Sequence, residues 1–264
     1  MSFNLTNELV VAIHAARHAG DYLRQCLGSV STQDIVHKGV INIVTAFDLE
    51  AQRFILETLR DSFPDHEYLT EEEQESVRNT RSRWRWIIDP LDGTSNYVSG
   101  YPRFCTSLAL EFSGEIILGV VYSPTLDESF YAVRGSGAYL NEKRIHISST
   151  SYLIDSVVAT GFPYDNKDTL QECLRLLAKI TPVTRTTRVL GAAALDLCYV
   201  ACGRLDAYWD VELSPWDMSA GGLIVKEAGG TVSAVMGEKF DHLGTTILAS
   251  NGILHSAIID TLWS

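Results

Sequence analysis

The amino-acid sequence predicts a mixed α/β domain built from layers of helices and strands, and three stretches carry that reading. From Leu5 to Leu27, apolar residues recur at Leu9, Ile13, Ala16, Leu23 and Leu27, close to helical spacing. Phe104–Phe112, Ile116–Tyr122 and Ser129–Val133 form a run of strand-like segments, with Ser113-Gly114 as a hairpin turn. Beyond residue 150, strand and helix patterns alternate.

Taken in order, a second helix is predicted from Asp48 to Ser62, ending before Pro64, and Thr70–Glu73 is read as a loop. Trp84–Asp89 is a short apolar strand that ends in acidic residues and a turn. Gly135, Gly137 and Asn141 punctuate the segment after the central strands. Val157–Thr160 then reads as a strand, Asp168–Ile180 as a helix, Val183–Val189 as a strand, Gly191–Cys202 as a helix and Leu205–Val211 as a strand. Pro215 fits a first helical turn and opens a helix to Ala228, stopped by Gly229-Gly230. Two short strands, Thr231–Val235 and Thr246–Ala249, and a helix over Gly252–Leu262 close the chain. No repeat, low-complexity stretch or linker marks a domain boundary.

The 264 residues suffice for one large domain with a substantial core. There are 33 acidic against 21 basic residues, a formal charge of −12. Such a surface repels nucleic acid and anionic lipid, so neither is an expected partner. A phosphorylated substrate is repelled too, unless the protein binds cations. No apolar run approaches the roughly 20 residues of a membrane helix. The start, MSFNLTNELV, lacks a basic segment followed by an apolar one, so a cytoplasmic location is expected. Cys26, Cys105, Cys173, Cys198 and Cys202 show no C-x-x-C spacing and read as buried, reduced thiols. His14 and His18 stand four apart with no acid between them, an ordinary helix-face pair.

The densest chemical signal is Asp89-Pro90-Leu91-Asp92-Gly93-Thr94-Ser95-Asn96. Two carboxylates three apart at a strand end cannot both stay ionised without a positive partner. A hard divalent cation such as Mg²⁺ satisfies both. The backbone N–H groups of Gly93 and Thr94, at a helix start, then suit an anion such as phosphate. Asp-Pro and Asp-Gly are also simply good turn residues. Asp48 and Asp217 begin other helices, where the helix dipole alone favours an acid. Glu71–Glu73 reads equally as a solvated charge run.

Together these segments resemble the inositol monophosphatase family. That family's Asp-Pro-x-Asp-Gly-Thr-x-Asn-aromatic signature appears as Asp89–Tyr97, and its Trp-Asp-x-x-x-Gly…Glu-Ala-Gly-Gly signature as Trp216–Gly230. Val44–Asp48, the Glu71-Glu72 pair and Ala159–Pro163 match as well, so the resemblance covers nearly the whole chain. It implies a layered α-β-α-β-α sandwich forming one phosphatase unit, commonly a homodimer. An N-terminal half to about residue 150 carries most metal ligands, and a C-terminal half from about 151 supplies Asp217 and the substrate side.

The resemblance also implies two or three Mg²⁺ ions. Glu71, Asp89 and the carbonyl of Leu91 match the ligands of one; Asp89, Asp92 and Asp217 match those of a second; Glu71 also serves a weaker third. Asp48, Thr94 and Glu71 match the catalytic residues, with a metal-activated water oriented by Thr94 and Asp48. Gly93, Thr94, Gly191, Ala193 and Asp210 match the phosphate and substrate side. Lys38 matches a lysine near the third metal's waters, or is a surface lysine. Lithium inhibition is a further implication.

Three departures matter. Thr70 precedes Glu71 where the family usually has glycine, which keeps Glu72 open as the first ligand. Asp210 stands where inositol-specific members often carry glutamate, and Ala193 where a hydroxyl residue is common. The expected activity is hydrolysis of a small phosphomonoester: inositol monophosphate or a related sugar or polyol phosphate. Fructose 1,6-bisphosphate, histidinol phosphate, 3′-phosphoadenosine nucleotides and a catalytically silent binding protein are the alternatives. Asp-x-x-Asp-Gly-Thr superficially resembles the haloacid dehalogenase motif, but there the spacing is two and the motif lies near the chain start.

Overall fold

The computed structural model of the chain describes residues 5–37, 43–72 and 82–264. Helix α1 (Thr6–Cys26) buries Ala12, Ala15, Ala16, Ala19 and Leu23 along one face; of the positions the sequence singles out, Ala16 and Leu23 are buried, while Leu9, Ile13 and Leu27 pack partly buried against the same core. A small antiparallel pair, β1 (Ile35–His37) and β2 (Ile43–Thr45), leads into α2 (Ala46–Ser62), which buries Ala51, Ile55, Leu56 and Leu59.

The large sheet contains β3 (Glu67–Thr70), β4 (Trp84–Asp92), β5 (Cys105–Phe112), β6 (Glu115–Ser123), β7 (Glu128–Val133), β8 (Ala138–Leu140) and β9 (Lys143–Arg144). These strands lie side by side in chain order, β3 parallel to β4 and the rest antiparallel. The short helix α3 (Thr94–Val98) leaves β4 directly. The second sheet has the order β11 (Thr186–Val189), β10 (Val157–Thr160), β12 (Ala207–Asp210), β14 (Ile247–Ser250), β13 (Thr231–Ser233). Strand β10 is parallel to both neighbours, and β14 is antiparallel to both of its own. Helices α4 (Lys167–Ile180), α5 (Ala193–Ala201), α6 (Pro215–Glu227) and α7 (His255–Trp263) complete the chain.

Strand periodicity explains how these parts stack. On β4, Trp86 and Ile88 join the core beneath α1 and α2, while Ile87 joins the core shared with α5 and α6. On β12, Tyr208 belongs to that same middle core, while Ala207 and Trp209 pack with Leu176 of α4 and Ile258 of α7. The order of layers is therefore α1/α2, large sheet, α5/α6, small sheet, α4/α7. This is the five-layer sandwich the resemblance implies. Close approach in the middle layer depends on Gly119, since a Cβ there would lie 2.8 Å from the Ala220 carbonyl oxygen of α6.

Three expectations are corrected. Thr70 ends strand β3, paired with Ile88 of β4, and does not lie in a loop. Threonine's β-branch suits that extended position. Strand β4 does not end at Asp89 but continues to Asp92, with a register shift against β5 between those two residues. The segment Val183–Val189 also divides: Thr181–Val183 is a 3₁₀ turn, and only Thr186–Val189 pairs as a strand. No helix among the described residues is long and apolar enough to cross a membrane. All five cysteines are free; Cys105, Cys173 and Cys198 are buried, while Cys26 and Cys202 are partly exposed.

Candidate active site

The bulge in β4 sets the two acids of the DPLDG segment. Asp89 lies opposite Ser107 and Asp92 opposite Cys105, so two residues of β4, Pro90 and Leu91, stand against one of β5, Thr106. The Leu91 N–H turns back to Asp89 Oδ1 at 3.0 Å, closing the turn on its own acid. Gly93 then takes φ +96°, which only glycine adopts cheaply; a Cβ would lie 3.1 Å from the carbonyls of Arg103 and Gly191.

Asp217 arrives from the first turn of α6. Carboxylate oxygens of Asp89, Asp92 and Asp217 lie within 4.8 Å of one another. Glu71 follows β3, where its N–H donates to the Ile88 carbonyl at 3.3 Å. Its side chain hydrogen-bonds Asp89, and its charge acts on Asp48 and Asp217. The Glu72 N–H instead meets Gln52 Oε1 at 3.3 Å. Lys38 and Glu73 lie outside the described residues.

Helix capping fixes two of these acids. Asp48 Oδ2 accepts from the Thr45 N–H at 2.9 Å and from the Thr45 hydroxyl, a reciprocal box at the start of α2. Asp217 Oδ2 accepts from the Ser214 N–H at 2.7 Å at the start of α6. In both, one oxygen serves the helix. The other oxygen of Asp48 accepts from the Thr94 hydroxyl at 3.1 Å. Thr94 Oγ1 also lies 3.1 Å from the Leu91 carbonyl, so one proton has two acceptors.

Asp92 has a different support. The Ala193 and Ala194 N–H groups, at the start of α5, donate to its two oxygens at 3.1 and 2.8 Å, and the Cys105 thiol adds a contact at 3.3 Å. The Ala193 amide thus faces a site carboxylate. Gly191, at φ +74°, packs on Asn96, which donates to the carbonyls of Arg103 (2.8 Å) and Leu190 (2.9 Å). Asn96 and the buried Arg103–Asp196 ion pair tie α3 and α5 together, and composition alone gave no reason to single out that pair.

The electrostatics record the crowding. Burial raises Asp89 and Asp217 well above the usual carboxylate range, and repulsion from neighbouring acids adds to it. Burial pushes Asp92 up to about 6, against its thiol and amide donors. It also pushes Asp48 up to about 6, with Glu71 adding to the rise and Thr45 and Thr94 opposing it.

Asp210 occupies the end of β12, only 3% exposed. Its oxygens accept from the Tyr208 hydroxyl (2.8 Å), the Val211 N–H (2.8 Å) and the Glu212 N–H (3.2 Å). A Cβ on Gly161 would sit 2.2 Å from Asp210 Oδ2, so the loop after β10 presses directly on it. Three residues further along that loop, Tyr164 is half exposed. Burial of its hydroxyl end and the charges of Asp92, Asp217 and Glu71 raise its phenol, while the Ser95 side chain beside it works the other way. Its place beside the matched Ala159–Pro163 segment is the one sequence signal that marks it.

The cluster fits a hard divalent cation: Asp89, Asp92 and Asp217 offer three oxygen donors, with Glu71 beside Asp89, and no imidazole joins them among the described residues. Repulsion among buried acids is what such a cation relieves.

Known proteins with the same features give the family. The inositol monophosphatase family profile matches residues 4–264. The chain is 39% identical over 257 residues to inositol monophosphatase 2 of Solanum lycopersicum, covering 96% of each. It is 38% identical over 249 residues to the Nus factor SuhB of Vibrio cholerae, covering 94% of this chain and 91% of that one. Among solved structures, the extragenic suppressor protein suhB of Bartonella henselae superposes with a TM-score of 0.94 at 37% identity, covering 98% of this chain and 99% of that one. A profile match from residue 4 to the last residue, relatives of the same length and a shared five-layer fold agree: the chain belongs to the inositol monophosphatase family and is a phosphomonoesterase.

Proposed function

We propose that the protein hydrolyses a small polyol or sugar phosphate, inositol monophosphate foremost, with Mg²⁺ held by Glu71, Asp89, Asp92, Asp217 and the Leu91 carbonyl. The observation that carries this reading is the Thr94–Asp48 hydrogen bond beside the carboxylate cluster. When bound, divalent cations neutralise the acids, draw in the phosphate dianion and offset charge on the departing oxygen.

The protein's own residues do the rest. With the Leu91 carbonyl engaged as a ligand, the Thr94 proton points to Asp48, and the Thr94 oxygen accepts from the attacking water. Thr94 relays that water's proton to Asp48 as the P–O bond forms. Asp48, at about 6, is matched to accept a proton near neutral pH. The Gly93 and Thr94 amides at the first turn of α3 hold the phosphoryl oxygens. Attack is in line, and no covalent phosphoenzyme forms. Gly191 and Ala193 shape the substrate side by placing α3 and α5. Asp210, held by three donors of its own chain, contributes weakly to sugar recognition, so phosphate contacts dominate affinity and selectivity for the alcohol is broad.

The same reading expects a homodimer, checked by light scattering, and inhibition by millimolar lithium. The deciding experiment is kcat/KM with Mg²⁺ for inositol 1-phosphate, fructose 1,6-bisphosphate, histidinol phosphate and 3′-phosphoadenosine 5′-phosphate. Inositol 1-phosphate is expected to lead. A lead for any other substrate by more than about tenfold, or 1.4 kcal/mol, overturns the substrate assignment.

A further inference from the structure

Helix α5 begins without a capping side chain of its own. Ala192 stands at its N-cap, with no hydroxyl or carboxylate to offer the first amides. Asp92, from β4, takes that place and accepts from the Ala193 and Ala194 N–H groups at 3.1 and 2.8 Å. The start of α5 therefore decides where the Asp92 carboxylate points. Ala192, Ala193, Ala194 and Leu195 have no polar side chain, so Asp196 is the one residue of this turn able to fix it by a directional side-chain bond.

That bond comes from Arg103. Its guanidinium pairs with Asp196, the two side chains only 11% and 1% exposed. Arg103 is anchored in turn. Its carbonyl accepts from Asn96 of α3 at 2.8 Å, and its guanidinium lies over the Tyr199 ring of α5, 4.7 Å from the centre. Arg204 stands at the same distance from that ring and is held by Glu128 at 2.7 Å. Two residues beyond Arg103, Cys105 pairs with Asp92 across the sheet and sets its thiol 3.3 Å from the carboxylate. Arg103 thus joins α3, α5 and β5 at the point where all three meet Asp92. Burial pushes Asp196 up to about 7, Arg103 opposes the rise, and the charge of Asp92 adds to it, so the two acids sense one another.

We propose that Arg103 is a positioning residue for Asp92: through Asp196 it fixes the first turn of α5, whose amides aim the Asp92 carboxylate at the cation it holds. The inference rests on the reading of Asp92 as a Mg²⁺ ligand. A ligand held by its own hydrogen-bond donors keeps its orientation without the metal, and losing such support lowers metal affinity roughly ten- to a hundredfold. A buried ion pair adds little stability over apolar side chains of similar volume, so what this pair contributes is orientation.

The test is titration calorimetry of the full-length chain with Mg²⁺, beside turnover at increasing Mg²⁺. Replacing both partners, Arg103→Met with Asp196→Leu, removes the bond without stranding a buried charge, and melting in chelator is expected to stay near wild type. Its Mg²⁺ affinity is expected to fall about tenfold or more, with the half-activating Mg²⁺ concentration raised by the same factor. At saturating Mg²⁺ its kcat is expected to return to within about threefold of wild type, which a general loss of structure would not allow. Arg103→Lys keeps the charge and is expected to bind Mg²⁺ within about threefold of wild type. Asp196→Asn, of the same shape, is expected to bind more weakly than Arg103→Lys and decides the matter if the double variant does not fold. Unchanged Mg²⁺ affinity in the double variant or in Asp196→Asn, or a kcat that excess Mg²⁺ does not restore, overturns the proposal. A wild-type chain that binds no Mg²⁺ overturns the metal reading itself, a result distinct from variants that bind like wild type.

Discussion

The two ends of α6 hold charged clusters under opposite solvation: acids alone at the first turn, three acids against three bases at the last. At its first turn Asp217 joins Asp89 and Asp92, whose side chains are almost wholly removed from water. Nine residues later, about 14 Å along the axis, Lys226 shares a cleft with Arg134 and Lys239, all open to solvent. Burial decides how each cluster resolves its repulsion. The acids shift strongly towards their protonated forms and demand a cation. At the other end, burial and the charges of Arg134 and Lys239 lower the Lys226 ammonium, and Glu115 opposes them. The buried end is therefore where chemistry is gained at the expense of stability.

The sharpest way to break this contrast is Asp217→Asn. It removes one ligand charge while the amide oxygen still accepts from the Ser214 N–H, so the cap of α6 survives. Phosphatase kcat/KM is expected to fall at least about 10²–10³-fold, some 3–4 kcal/mol of transition-state stabilisation. The metal-free variant is expected to melt above the metal-free wild type at pH 7, since one repelling charge is gone. Asp92→Asn loses activity too, but less cleanly. Both oxygens of Asp92 accept backbone N–H groups, so an amide nitrogen there faces a donor and costs about 1–3 kcal/mol of stability.

Thr94 separates proton relay from charge. Thr94→Ser keeps the hydroxyl at Asp48 and is expected to retain activity within about tenfold. Thr94→Val keeps the volume, loses the relay, and is expected to lower kcat about 10²-fold or more with KM little changed. Equal kcat for the two variants would remove Thr94 from the mechanism.

Much of this site was legible because its acids sit at local landmarks. Thr45-x-x-Asp48 and Ser214-x-x-Asp217 are helix-start patterns, and Asp89–Asn96 is a turn with its own chemistry. The long helices and β5–β7 were equally readable from apolar spacing and the Ser113-Gly114 turn, both at positive φ. What escaped was non-local. Strand β3 exists by pairing with β4, so Glu67–Thr70 alone carries too few residues to announce it. The bulge at Asp89/Asp92 is a property of two strands. The role of Asn96 and the pressure of Gly161 on Asp210 each require segments far apart in the chain.

The stability of the metal-free protein distinguishes the two ends at smaller scale. Burial raises Asp48, Asp92 and Asp210 to about 6, and Asp89 and Asp217 also stand well above their ordinary value. Unfolded, each titrates near 3.9. The folded chain thus binds protons more tightly, so this stabilisation is full below about pH 4 and lost as pH rises through about 6. Melting in chelator is expected to drop between pH 5 and 7.5 even in about 1 M salt, where exposed charges are screened. Added Mg²⁺ is expected to raise the midpoint more at pH 7.5 than at pH 5.5. A pH slope abolished by salt would place the strain on the surface and end the comparison.

The smallest effect concerns specificity. Asp210→Glu lengthens a side chain now tied to its own strand end, and is expected to raise the kcat/KM ratio of inositol 1-phosphate to glycerol 2-phosphate by about tenfold, near 1.4 kcal/mol. An unchanged ratio would remove Asp210 from alcohol recognition and leave Tyr164 as the next residue to vary.

The claim that joins these points is that the clustered acids Asp89, Asp92 and Asp217, with Glu71, are built to hold catalytic cations. It is tested most directly by following hydrolysis of inositol 1-phosphate by the wild-type chain after exhaustive chelation, then on titrating Mg²⁺ back. The expected result is loss of turnover on chelation and full recovery with Mg²⁺. Turnover that persists in metal-free protein would contradict the account.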